Sequence, residues 1–386
     1  MSLNNLHGNV VIMFNLSKED IEKIDHMFNE VQNASKTFMG YPCNQDFDYD
    51  RLFPFLEYTV NNIGDPYIPT HYRLNSHTLE REVLDFFAGL MHADKDNFWG
   101  YVTNGGTEGN MYGLYLAREL YPEGIVYHSQ DVHYSITKSF RVLRMKNIMI
   151  RSQKNGEIDY DDLKETIHIR REVPPIFLLT IGTTMRAAID NVGKIRSMME
   201  ELAITEYYIH CDAALSGMIL PFIDNATPFD FAAGADSISV SGHKFIGCPI
   251  PCGVVLAKKK NVDKISKFVE YVGTLDTTLT GSRNGISPIF LWYAIKNIGV
   301  DGFKKKVSDC LERADYALAE LNKLGCNAWK NDFATTVVFD RPSQDIINKW
   351  QLAPQGDISH IIIMPSVTKE MIDEFLDDIK NAKNKG

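Results

Sequence analysis

The segment Val240-Ser241-Gly242-His243-Lys244-Phe245 sets a lysine beside a histidine just after a short apolar run, Ser237-Ile238-Ser239-Val240. A lysine at the end of a buried strand loses hydration, which lowers its pKa and leaves an amine able to form a Schiff base. Three other segments place reactive residue types after apolar runs. Thr103-Asn104-Gly105-Gly106-Thr107-Glu108-Gly109-Asn110 offers two glycines and a hydroxyl where a helix begins. Free N–H groups and the helix dipole suit such a place to a phosphate. It lacks the lysine of a P-loop and the spacing of a dinucleotide fingerprint. Asp131-Val132-His133-Tyr134-Ser135 opens a helix with an imidazole that could stack on a flat ring. His210-Cys211-Asp212-Ala213-Ala214 ends a strand in a carboxylate that needs a partner if buried, and its alanines leave room for a flat ring.

Taken singly, each segment also has a plainer reading: a solvated turn lysine, a tight strand-to-helix connection, a locally packed histidine, an aspartate capping a helix. In chain order they supply an anion cradle, a ring-stacking group, a partner for a protonated pyridine nitrogen and a Schiff-base amine. A protonated pyridine is what makes pyridoxal phosphate an electron sink. Together the four segments imply that cofactor.

The elements that must position them alternate regularly. Apolar runs at 98–103, 125–128, 148–150, 176–181, 207–212, 237–240 and 254–257 read as strands, most of them separated by helical patterns. Such alternation predicts an α/β fold with a mostly parallel seven-stranded sheet covered by helices, and ligands at the carboxyl ends of the strands. An amphipathic helix from Ser17 to about Lys36 carries Ile21, Ile24, Met27, Phe28 and Val31 at helical spacing, ahead of a Gly-, Pro- and Asp-rich arm. A second helix runs from about His77 to Met91. Beyond Ile286, helices to Trp292 and over Gly302–Leu324, strands near 335–339 and 360–364 and a last helix to Lys383 read as a small α+β domain. The expected division is an N-terminal helix and arm at 1–75, a large domain at 76–285 and a small domain at 286–386.

With 386 residues, 44% of them hydrophobic and 23% charged, the chain is of ordinary globular composition. A net charge of −10 argues against a nucleic-acid or anionic-membrane partner. No apolar run is long enough to span a bilayer, and Met1 to Val10 lack the pattern of a signal peptide. Cys248 and Cys252 are separated by Pro249 and Pro251 with no second pair, so no metal site is expected. Reduced thiols in a cytoplasmic protein are the expectation for all six cysteines.

The motifs Asn104-Gly105-Gly106-Thr107-Glu108-Gly109-Asn110, His133-Tyr134-Ser135, Asp212-Ala213-Ala214 and Ser241-Gly242-His243-Lys244 resemble the group II pyridoxal-phosphate amino-acid decarboxylases. The likeness runs from about Gly40 to the C-terminus. It is strongest to bacterial histidine decarboxylases, through segments such as Leu215-Ser216-Gly217-Met218-Ile219-Leu220-Pro221-Phe222, and to plant serine decarboxylases, through Phe245-Ile246-Gly247-Cys248-Pro249 and His360-Ile361-Ile362-Ile363-Met364. The resemblance implies a fold-type-I homodimer with its active site at the subunit interface. It implies Lys244 as the Schiff-base lysine, Asp212 on the pyridine nitrogen, His133 stacked on the ring and facing substrate, and Ala214 on the opposite face. Gly106, Thr107, Ser241 and His243 would hold the phosphate, and Thr184 would approach the ring hydroxyl. Tyr271 would return a proton to Cα from a mobile loop, and Gly281-Ser282-Arg283 would be lent to the neighbouring site.

The implied reaction is decarboxylation of L-histidine to histamine, with L-serine to ethanolamine as the alternative. The loop from Pro66 to His77 is expected to contribute to the substrate pocket. Two other classes share parts of the pattern. An aminotransferase or aldolase would keep the aspartate and lysine, but the contexts of His133 and Ser241–Lys244 argue against it. A non-enzymatic relative would be expected to lack Lys244 or Asp212.

Overall fold

The computed structural model of the chain describes residues 16–269 and 273–385. The polar N-terminal end and Tyr271 lie outside them. The first helix, α1 (Lys18–Ser35), starts at a capping box in which Ser17 and Asp20 satisfy each other's backbone and side-chain groups. The arm that follows contains a 3-10 helix at Asp50–Glu57 and leads into α2 (His77–Leu90). The alternating part then runs β1 (Phe98–Thr103), α3 (Gly106–Leu120), β2 (Ile125–Ser129), α4 (Tyr134–Leu143), β3 (Lys146–Ile150), α5 (Tyr160–His168), β4 (Pro175–Thr180), α6 (Val192–Glu201), β5 (Tyr208–Asp212), β6 (Ser237–Ser241) and β7 (Gly253–Lys258). After the short α7 (Lys259–Val262) come a small hairpin, β8 (Lys267–Val269) and β9 (Thr274–Asp276), and the long α8 (Ile286–Lys323). The chain closes with β10 (Thr336–Asp340), α9 (Gln344–Trp350), β11 (Ile358–Ile362) and α10 (Lys369–Lys385).

One sheet holds seven strands in the order β1-β7-β6-β5-β4-β2-β3. The β2–β3, β2–β4, β4–β5 and β5–β6 pairs are parallel, and β7 runs antiparallel to both β1 and β6. The expected α/β architecture is therefore present. Side chains alternate across the strands, so each strand feeds two cores. On one face Phe177 and Leu179 of β4, Ile209 and Cys211 of β5 and Val254 and Leu256 of β7 join the core shared with α2, α6 and α8. On the other, Ile176, Leu178, Tyr208, Val255 and Ala257 pack with Tyr112, Leu116 and Ala117 of α3 and Ile136 and Phe140 of α4. Both faces being covered explains why these strands read as nearly continuous apolar runs.

Several details differ from the sequence reading. The two helices expected beyond Ile286 are present and abut at Gly299, whose φ of +68° and ψ of 171° are non-helical and break α8 into two segments. The seven-residue α9 went unread because it is too short to show a period, although Ile346, Ile347 and Trp350 bury its inner side. On α1 the apolar residues do follow a helical stripe, yet none of them is buried. Ile24, Met27, Phe28 and Val31 are all about 60% exposed (58%, 60%, 65% and 61%).

Candidate active site

The motifs converge because parallel strands deliver their carboxyl ends to one edge of the sheet. Lys244 lies in the turn beyond the end of β6, and Asp212 ends β5 next to it. The backbone N–H of Ser241 donates to the Ala214 carbonyl (3.0 Å), and the Ala214 N–H donates to Asp212 Oδ1 (3.2 Å). Gly106 opens α3 against the same place: a Cβ there would stand 2.8 Å from Ser241 Oγ and 3.7 Å from Ala214 Cβ. Gly105 takes φ +137°, a conformation that suits glycine, and has no capping side chain. The N–H groups of Gly106 and Thr107 consequently meet no acceptor among the described residues. Open donors at a helix N-terminus, next to a serine hydroxyl and the His243 imidazole, fit the phosphate of pyridoxal phosphate. His243 is held by Nδ1 on the Cys252 carbonyl at 2.8 Å, which leaves Nε2 for a ligand. Gly242 meets a packing demand more than a turn demand, since a Cβ there would lie 2.7 Å from Leu291 Cδ2 and 2.8 Å from Cys252 Sγ.

His133 is the N-cap of α4. Its Nδ1 lies 2.8 Å from Ser135 Oγ and accepts the Ser135 N–H at 3.4 Å, so the ring proton sits on Nε2. Electrostatics tie the three ionisable groups together. Burial pushes the Lys244 ammonium down, against the pull of the Asp212 carboxylate. Burial raises Asp212, and Lys244, His133 and the bonds from Asn110 and Ala214 draw it back. Burial lowers His133, with Asp212 opposing and Lys244 adding to the effect. The result is an amine more nucleophilic than a surface lysine, a buried carboxylate held by Lys244 and the donors of Asn110 and Ala214, and a neutral imidazole.

Thr184 is exposed on the turn after β4 and makes no hydrogen bond among the described residues. Arg283 is buried in its own chain: it pairs with Glu80 and donates to the Gly64 carbonyl at 3.0 Å, so this side chain is not free to reach another subunit. Tyr271 is not described, but its neighbour Gly273 (φ +71°) lies against the ring of His71, and a Cβ there would be 3.0 Å from His71 Cε1. The loop from Pro66 to His77 thus meets Gly273.

Other groups at the site drew no role from the sequence. The Asn44 N–H donates to the Lys244 carbonyl at 3.0 Å, and its amide donates to the Phe245 carbonyl at 3.3 Å, so the N-terminal arm clamps the lysine turn. The Cys43 thiol, raised by burial and drawn back by Lys244, faces the same ammonium. Nothing in the local sequence around Asn44 announces a contact made across the fold. Asn110 donates to Asp212 Oδ2 at 2.8 Å from inside α3. A polar side chain on the sheet-facing side of a helix was the available signal there.

Comparison with known proteins agrees with this geometry. Residues 57–339 match the pyridoxal-dependent decarboxylase conserved domain. A histidine decarboxylase of Mesorhizobium japonicum is 48% identical over 366 residues, 95% of this chain and 99% of the relative. Serine decarboxylase 1 of Oryza sativa is 42% identical over 351 residues, 90% of this chain and 73% of that protein. Among solved structures, L-methionine decarboxylase from Streptomyces sp. 590 superposes with a TM-score of 0.86 at 25% identity, covering 95% of each chain. A lysine of lowered pKa, a buried aspartate and an open glycine-rich helix start, on a chain with these relatives, lead to one conclusion: it belongs to the pyridoxal-dependent decarboxylase family.

Proposed function

We propose that the protein decarboxylates L-histidine to histamine and carbon dioxide with pyridoxal 5'-phosphate. The observation that carries this reading is the buried Asp212 with half-buried Lys244 and His133 acting on it, in a chain 48% identical along 95% of its length to a histidine decarboxylase. When bound, the cofactor supplies a conjugated ring that accepts the electron pair left on Cα as the carboxylate departs.

The chain's own residues do the rest. Lys244 Nζ, deprotonated more readily because it is buried, is the covalent tether. Asp212 would keep the proton on the ring nitrogen. Gly106, Thr107, Ser241 and His243 would hold the phosphate, and Ala214 and His133 would pack against the ring. Thr184 would serve the ring hydroxyl, and Tyr271 would return a proton to Cα. Residues 76–285 form the cofactor domain on this reading, with 1–75 as the arm and 286–386 as the small domain.

The same reading makes the protein a cytoplasmic homodimer with its sites at the subunit interface. The uncovered apolar stripe of α1 supports the dimer, because a stripe of this size is costly to leave in water. Six unpaired cysteines, five of them buried, suit a reducing compartment.

The test is incubation of the purified protein with single amino acids, with assay of carbon dioxide and the matching amine. Histamine from L-histidine is the expected product. Ethanolamine from L-serine, with L-histidine inert, would replace histidine as the substrate. Lys244→Ala should abolish turnover while leaving a folded protein, and surviving turnover would overturn the mechanism.

A further inference from the structure

Polar residues occupy alternate positions in two fully buried strands: Tyr208, His210 and Asp212 in β5, and Ser237, Ser239 and Ser241 in β6. Strand geometry puts each trio on one face, and α3 covers that face, since its Asn110 meets both His210 and Asp212. A buried polar group without a partner is costly. Here the partners form a single line. Tyr208 Oη donates to Ser237 Oγ (2.9 Å), Ser237 Oγ lies 2.7 Å from His210 Nδ1, His210 Nε2 lies 2.9 Å from Asn110 Oδ1, and Asn110 Nδ2 donates to Asp212 Oδ2 (2.8 Å).

The direction of the line follows from its end. Only the NH2 of an amide can face a carboxylate, so Asn110 Oδ1 must accept from His210 Nε2–H. Burial holds His210 neutral, with its pKa lowered to about 3, so Nδ1 accepts from Ser237 and Ser237 in turn accepts from Tyr208. Every donor therefore points toward Asp212. The ring of His210 also has a made place, because a Cβ on Gly113 would lie 2.1 Å from Nδ1. The other groups acting on Asp212 are Lys244, His133 and the Ala214 N–H, none of them a member of the line.

We propose that Asn110, His210, Ser237 and Tyr208 are positioning residues: a one-directional hydrogen-bond line that orients the Asp212 carboxylate and keeps it ionised for the ring nitrogen. Aligned donors polarise one another, so the effect of each link weakens with its distance from the carboxylate. The inference rests on the reading of Asp212 given under the proposed function.

Two readouts test it: the affinity of the apoprotein for pyridoxal phosphate, from quenching of tryptophan fluorescence, and the pH midpoint of the visible absorption of the holoprotein. Asn110→Leu removes a bond to a charged group and should weaken cofactor binding roughly tenfold or more. His210→Leu, Ser237→Ala and Tyr208→Phe should follow with progressively smaller losses, and the absorption midpoint should move in the same order. His210→Gln keeps a donor toward Asn110 and should recover most of the loss. A merely structural role would not produce this gradient or this rescue. An unchanged affinity and midpoint in His210→Leu, or a Tyr208→Phe effect as large as that of Asn110→Leu, would overturn the proposal. If His210→Leu does not fold, the ordering of Ser237→Ala and Tyr208→Phe, each a deletion of a single oxygen, decides it. Asp212→Asn separates the two readings. Wild-type affinity in Asp212→Asn would overturn the assignment of Asp212 and the line with it. Loss of affinity in Asp212→Asn alone would refute only the line.

Discussion

Removing Arg283 should destabilise the fold. Glu80 is fully buried and accepts the Val102 N–H at 2.8 Å, the Asn62 amide at 2.6 Å and both terminal nitrogens of Arg283. Breaking a buried ion pair by deleting one partner costs about 3–5 kcal/mol, because a charge is left uncompensated. Arg283→Leu strands the carboxylate, which keeps only its neutral donors from Val102 and Asn62. Glu80→Leu strands the guanidinium instead, so its penalty should be of similar size. Urea unfolding of wild type and both variants measures this. An Arg283→Leu penalty below about 1 kcal/mol would refute the reasoning. A normal stability with lost turnover would instead return Arg283 to a neighbouring subunit's site.

Other consequences can be checked more briefly. Tyr271→Phe should keep cofactor binding while slowing amine release or raising side products, and unchanged turnover and products would remove Tyr271 from the mechanism. Glu at Ile24 and Phe28 together should shift the protein toward monomer in sedimentation velocity, and an intact dimer would show that α1 is not at the interface. His210 stays neutral when folded down to about pH 3, whereas an unfolded histidine protonates near pH 6.5, so stability is lost as pH falls below that value. Its share between pH 7 and pH 5 is about 2 kcal/mol. That share should vanish from the difference in urea stability between wild type and His210→Leu.

Much of the site was legible in the sequence because its pieces are local. Each of the Gly105-Gly106-Thr107, His133, Asp212 and Ser241–Lys244 segments sits where an apolar run stops, and a parallel sheet brings all such stops to one edge. The same locality explains the misses. Asn44 reaches Lys244 from the arm, a contact between segments far apart in the chain with no pattern of its own. Arg283, which the resemblance implied would be lent to a neighbouring site, pairs with Glu80 of α2 in its own chain. Asn110 and His210 were in view within their motifs, and their polarity at buried positions was the unused signal.

The sequence by itself determined the layers, the seven strands of the main sheet and the cofactor class, because hydrophobic period and residue type act over short stretches. Only the tertiary structure decided that Gly242 is small to admit Leu291 and Cys252, that Glu80 holds Arg283 inside, and that four buried polar groups align on Asp212. These depend on which surfaces the crossovers bring within hydrogen-bonding distance. That is a property of the packed sheet and of no single segment.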